Sequence, residues 1–194
     1  MLKKKSLLYT LTILMGLIVI LSNYLVQFPI KYFNLEKILT YGAFSYPITF
    51  LITDLANRAY GKIIAKKVVY VGFIIGIFLT LVVSTNFSDS ISIRIAVGSG
   101  LAFFIAQNID IEIFNKLRKN ANWFVAPFFS SIIGSSIDTF IFFSVSFYKT
   151  GIPWVSLAIG DLMVKILIAL MMLIPFRILL NKIRDVADLS LKTR

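Results

Sequence analysis

Apolar residues in this chain fall in long uninterrupted blocks, and the polar residues gather in the short connections between them. Six blocks can be drawn, at about 6–28, 41–57, 68–85, 93–113, 122–147 and 155–180. Each has the roughly 17–26 residues a helix needs to cross a ~30 Å hydrocarbon core. The strict alternation of a membrane barrel is missing, and an open strand edge in lipid would leave backbone groups unpaired, so helix is the economical choice. The pattern predicts an all-α integral membrane protein: a bundle of six transmembrane helices forming a single domain over 1–194.

Composition agrees. The chain is 58% hydrophobic and 15% charged, where a soluble domain carries about 25% charged residues. Cysteine and histidine are both absent, which excludes disulfides, thiolate metal sites and the usual imidazole base. The net charge of +11 acquires meaning from its placement. Fifteen of the twenty Lys and Arg lie on one set of alternate connections and termini: Lys3–Lys5, Arg58–Lys67, Lys116–Lys119 and the tail from Arg177. The other set has three, Lys31, Lys37 and Lys149, while Arg94 and Lys165 fall inside blocks. By the positive-inside rule both termini are cytoplasmic. The charge therefore reports topology, the expected partner is the lipid bilayer, and no nucleic-acid partner is expected. The first apolar run exceeds the ~7–15 residues of a signal-peptide core and reads as a retained span.

A carboxylate within a span costs at least ~2.5–3.5 kcal/mol on insertion scales, so each one asks for a reason. Asp161 has Lys165 at i+4, the spacing of a structural ion pair; Gly160-Asp161 matches only half of the GxGD motif of intramembrane aspartyl proteases, and no partner motif accompanies it. Asp54 follows Pro47, which predicts a break around Ser45–Pro47. Two readings of Asp54 stand side by side: a site residue in a broken span, with Asn57 at i+3, or an interfacial partner of Arg58. Phe103, Gln107 and Asp110 share one helix face and would suit a flat, hydrogen-bonding ligand, unless Asp110 simply marks a span end beside Lys116 and Arg118. Gly98, Ser99 and Gly100 suggest close helix approach. Asp138 is the acid set deepest in apolar sequence, next to a small polar face of Ser130, Ser131, Gly134, Ser135 and Ser136; it is either a site residue or packed by hydrogen bonds to those serines.

Taken together, three stretches resemble the queuosine precursor transporter (VUT) family. The first runs from Tyr46-Pro47-Ile48-Thr49-Phe50 through Thr53-Asp54-Leu55-Ala56-Asn57 to Tyr60-Gly61-Lys62 and Ala65-Lys66-Lys67. The second runs from Gly98-Ser99-Gly100 through Phe103 to Gln107 and Asp110, ending at Leu117-Arg118. The third comprises Trp123, Pro127, Ser130-Ser131 and Ile137-Asp138-Thr139, with Phe142-Phe143. The resemblance covers about residues 40–180. It implies a multi-pass protein of the bacterial inner (plasma) membrane that imports a 7-deazaguanine precursor of queuosine, such as 7-cyano-7-deazaguanine, for tRNA modification. It also implies a fold resembling the substrate-binding S-components of energy-coupling-factor vitamin importers. An S-component-like binding subunit is therefore the alternative function.

A guanine-like ring presents two adjacent donors beside a carbonyl. Asp54, Asp110 and Asp138 are the candidate acceptors, Asn57 and Gln107 the candidate amides, and Tyr46, Phe103 and Trp123 the candidate stacking groups. No catalytic residue, metal ligand or cofactor is expected, and no Walker loop is present. Proton coupling, facilitated diffusion and an ATPase partner stay open at this level, as does a homo-oligomer.

Overall fold

The computed structural model describes residues 2–32, 36, 39–83, 90–119 and 122–191, and is helical with the exception of one isolated β-bridge, Pro29 with Thr40. Its helices, in chain order, are α1 (Leu2–Leu25), α2 (Gly42–Ser45), α3 (Pro47–Tyr60), α4 (Lys62–Val83), α5 (Ser90–Leu117), α6 (Val125–Phe147) and α7 (Trp154–Leu191). Among the described residues, four of them hold stretches long and apolar enough to cross a membrane, at Lys5–Leu25, Ser90–Leu117, Val125–Phe147 and Trp154–Leu180. That makes the chain an all-α, multi-pass membrane protein. The expectation of six spans is met only in part. The second block is divided, because Pro47 starts α3 at N1 and leaves Tyr46 as the joint between a 4-residue and a 14-residue helix. The third block becomes α4, which begins at Lys62 rather than near 68. Residues 84 and 85, the expected end of that span, lie outside the described residues, as does Lys37.

The helix ends follow local chemistry. Gly61, at φ 83°, separates α3 from α4 in a conformation that favours glycine. Arg94 lies inside α5 and donates to the carbonyls of Val145 at 3.0 Å and Tyr148 at 2.8 Å, capping the C-terminal end of α6. This accounts for one of the two cations the topology pattern leaves over. Between α1 and α2 the chain doubles back, with the Ile30 amide donating to the Leu39 carbonyl at 3.0 Å.

Packing relies on small residues where helices approach closely, since lipid gives no hydrophobic drive for association. A Cβ added at Gly72 or Gly76 of α4 would lie 2.7 Å from the Cβ of Met15 or Val19 of α1. Gly98 of α5 packs on Ser146 and the Phe142 carbonyl of α6, as its small-residue segment predicts; Gly100 instead faces Phe73 and Ile77 of α4 at ordinary contact distance. The outward faces carry large apolar side chains, including Ile13, Ile74, Phe78, Phe140, Met163 and Ile174. The interior is where the polar groups are: Asp54, Asn57, Gln107, Asp110, Asp138, Asp161 and Lys165 are all buried. This inversion of the soluble pattern is what a bilayer solvent selects.

Candidate functional site

The buried polar residues form two groups at different levels of the bundle. The first lies where the C-terminal half of α1, the α2–α3 joint, the middle of α5, α6 and the first third of α7 converge. Lys165 of α7 donates to Asp138 at 2.9 Å and to Asp161 at 2.6 Å, and lies 3.1 Å from the Thr139 hydroxyl. Thr139 in turn donates to Asp161 at 2.8 Å. The Asp161–Lys165 pair expected from i,i+4 spacing is present, and Asp138 joins it from the neighbouring helix. Asp138 therefore pairs with Lys165 rather than with the serines of its own face. Two acids around one ammonium leave this group one negative charge when all are ionised, and such a triad is held by mutual desolvation as much as by attraction.

This group forms one wall of a cavity of about 300 Å³, counting its open mouth. Ser22 and Asn23 of α1 and Val26 just beyond it form the facing wall, with Ser99 of α5 and Phe142 of α6 completing it, and Gly42 and Tyr46 at the joint. Tyr46 lies across the cluster, its ring 5.0 Å from the Lys165 ammonium. Oδ1 of Asp138 and the Tyr46 hydroxyl complete no well-formed hydrogen bond at this wall, although the two side chains lie within reach of each other and the phenol also lies near Ser99. On the far side Ser99 donates to the Asn23 side-chain oxygen, and the Ser22 and Ser45 hydroxyls are paired at 2.9 Å.

The second group lies toward the C-terminal ends of α3 and α5 and the N-terminal half of α6. Asp54 and Asp110 face each other there, 2% and 0% exposed. Ser130 and Ser131 donate to the two Asp54 oxygens, each at 3.4 Å, while neither Asp110 oxygen completes a well-formed hydrogen bond, with Asp54 and Ser130 its nearest polar neighbours. Gly134 makes room for the arrangement, since a Cβ there would meet Asp110 Cβ at 3.3 Å and the Phe50 ring at 2.6 Å. The interfacial pairings open to both acids are not what forms. Arg58 donates to the Arg118 carbonyl at 3.2 Å, and Arg118 donates to the Asn57 carbonyl at 3.0 Å, so the two arginines cross-link α3 and the end of α5 through backbone.

The remaining predicted residues divide between these groups and the surrounding frame. Gln107 accepts from Thr53 at 2.5 Å and donates to Thr49 at 2.9 Å, so both ends of its amide are taken. Asn57 donates to the Ile111 carbonyl at 3.1 Å, leaving its side-chain oxygen unpartnered. Phe103 stacks on Phe73 at 5.5 Å and meets Tyr46 edge-on at 6.2 Å, behind the cavity rather than in it. Trp123 stands apart, its ring 5.0 Å from the Arg177 guanidinium. Only Tyr46 and Asp138 of the predicted set line the cavity. Sequence reading missed Ser22, Asn23, Ser99 and Phe142 as lining residues, and placed Lys165 as a structural partner only. A signal existed for Asn23, an amide in an otherwise apolar run.

An all-helical bundle with a lipid-type exterior, buried charges and a cavity open at its mouth beside them has the features of a membrane transport protein. A family model described as "Putative vitamin uptake transporter" matches residues 40–180. The "Queuosine precursor transporter" of Escherichia coli (strain K12) is 30% identical over 203 residues, covering 94% of this chain and 91% of the relative. The "Probable queuosine precursor transporter" of Haemophilus influenzae is 32% identical over 197 residues, covering 86% and 83%. That of Bacillus subtilis is 26% identical over 181 residues, covering 81% and 78%. No solved structure matches. The chain belongs to this family of membrane transporters, the vitamin uptake or queuosine precursor transporter family, and is not an enzyme.

Proposed function

We propose that this chain is a single-domain, six-span carrier of the bacterial inner membrane, with both termini cytoplasmic, that imports a 7-deazaguanine precursor of queuosine through the cavity beside Asp138. The relatives' names point to the solute, and the chemistry of the wall supports it. A 7-deazaguanine presents two adjacent N–H donors beside one carbonyl. The wall offers a carboxylate oxygen and a phenol, Asp138 Oδ1 and the Tyr46 hydroxyl, both buried, close to each other and short of a well-formed hydrogen bond. That pair of open groups is the observation that carries the reading. Buried polar atoms are left without a partner at a cost of about 1–3 kcal/mol each, and a bound ring would recover it.

In this reading Lys165 holds the other Asp138 oxygen and so fixes which way the open one faces, Tyr46 donates to the ring carbonyl, and Phe142 with Val26 packs against the ring faces. The α2–α3 joint is the moving part, since Tyr46 is both a wall of the cavity and the hinge residue. Six spans follow if α2 and α3 cross together as one broken span and α4 crosses as a 22-residue helix.

Uptake of labelled 7-cyano-7-deazaguanine into proteoliposomes holding only this protein is the test. Saturable uptake is expected, with Asp138→Asn lowering kcat/KM about tenfold to a hundredfold, the range for losing a charge-assisted hydrogen bond of ~1.5–3 kcal/mol. Tyr46→Phe should lower it less. Capture of the compound without transport would instead favour a binding subunit that needs an ATPase partner. No binding at all would overturn the reading.

A further inference from the structure

The transport reading uses the cavity and leaves the second buried group without a task. We propose that Asp54 and Asp110 together form a proton-carrying site, distinct from the substrate cavity, whose loading and unloading drives import. The proposal rests on the transport reading for its purpose, and on the geometry of the pair for its chemistry.

Two carboxyls in contact, out of water and with no cation beside them, cannot both keep their charges, so such pairs hold a proton between them. The surroundings of this pair fit that state. Along α3 the nearest base, Arg58, is bonded to the Arg118 backbone, and along α5 Arg118 is bonded back to Asn57. Glu112, also on α5, is taken by Lys62 and Lys66 of α4 at 2.7 and 2.9 Å. From α6 come only the hydroxyls of Ser130 and Ser131; Asp138 lies about 10 Å further along that helix, two turns on, where it pairs with Lys165 of α7. Among the described residues no lysine or arginine makes an ion pair with Asp54 or Asp110. Asp110 supplies the second sign of a site: it is fully buried, lies within reach of Asp54 and Ser130, and has no well-formed hydrogen bond at either oxygen.

A physical link joins this pair to the cavity. Thr53, adjacent to Asp54, donates to Gln107 at 2.5 Å; Gln107 donates to Thr49 at 2.9 Å; and Thr49 donates to the Tyr46 carbonyl at 2.7 Å. Asp54 lies in α3 and Tyr46 is the residue directly before it, so a shift of α3 reaches both. When the pair loses its proton, two like charges face each other across α3 and α5, and the repulsion parts those helices at the end away from the cavity mouth. The same movement carries Tyr46 off the wall that binds the solute. The proton, taken from water on the outer side, leaves to water on the cytoplasmic side, and the pair is reset by the next one.

The test uses wild-type protein with Asp54→Asn, Asp110→Asn and Asp110→Glu. Infrared spectra of purified protein titrated across neutral pH are expected to show a protonated-carboxyl band that disappears as pH rises and is missing in Asp110→Asn. In proteoliposomes an inward proton gradient should raise wild-type uptake several-fold. Both Asn variants should lose that stimulation while still exchanging solute at equal pH, and Asp110→Glu should keep it with a shifted pH midpoint. Binding of the deazaguanine to detergent-purified variants reports that they are folded. Wild-type uptake indifferent to a proton gradient, stimulation by sodium instead, or Asn variants that keep the gradient response would each overturn the proposal while leaving the transport reading intact. A wild type that binds no deazaguanine yet shows the titrating band would remove the transport reading and leave the proton site standing.

Discussion

Lys165 is the residue on which the group beside the cavity turns, because it is the sole described cation bonded to the buried acids of α6 and α7. Removing one partner of a buried ion cluster leaves uncompensated charge and costs about 3–5 kcal/mol, far more than a surface pair is worth. Lys165→Met should therefore lower the thermal unfolding midpoint in detergent markedly. Adding Asp161→Asn to it should recover part of the loss, since the two changes share one interaction and cannot be additive. A Lys165→Met protein as stable as wild type would show that the cluster is not ionised. The Asp161–Lys165 half of this group could be read from i,i+4 spacing alone. Asp138's place in it could not, because that contact depends on how α6 and α7 are aligned, and residue spacing within one helix says nothing about its neighbour. Asn23 with Ser99 was hidden for the same reason: the two are 76 residues apart.

At the scale of elements, sequence reading located the apolar blocks well and their ends less well, for reasons the polar residues supply. α4 starts at Lys62, directly after the Gly61 turn, and Lys62 and Lys66 in its first turns pair with Glu112 of α5, where hydropathy alone would begin the span six residues later. The backbone of α7 continues as helix to Leu191, well past the apolar stretch, since the criterion for a span is hydropathy and the criterion for a helix is not. The proline break was legible and has a consequence. Pro47 lies at a helix start, where its missing N–H is no loss, so Pro47→Ala costs little stability. It should however permit α2 and α3 to merge into one continuous helix and stiffen the hinge at Tyr46. Slower solute uptake with unchanged solute affinity is the expected result, measured by comparing transport rates with equilibrium binding. Equal loss in both would mean the break shapes the cavity rather than letting it move.

For the whole molecule, the arrangement of charge and of depth are two independent statements about the same object, and they can be set against each other. In the proposed topology the ends of α3 and α5 and the start of α4, where Arg58, Lys116, Arg118 and Lys62 lie, face the cytoplasm. The buried groups assign the cavity to the opposite half, since Asp138 is about 10 Å along α6 from Ser131 and Ser131 contacts Asp54. If both hold, the cavity mouth opens outward and the acid pair lies between it and the cytoplasm, as an importer driven by an outer excess of protons requires. The chain itself makes the check straightforward, because it contains no cysteine and any introduced thiol is the sole target. Tyr32, 71% exposed in the α1–α2 connection, and Lys119, exposed beyond the end of α5, are expected on opposite faces. In intact cells a membrane-impermeant maleimide should label Tyr32→Cys and spare Lys119→Cys; in inverted vesicles the pattern should reverse. Lys119 is a safe choice, as Lys116 and Arg118 keep the charge bias that sets orientation. Labelling of both positions from one side would mean that an odd number of crossings is missing between them. The broken α2–α3 segment and α4 would then have to be redrawn, and with them the path from the cavity to the cytoplasm.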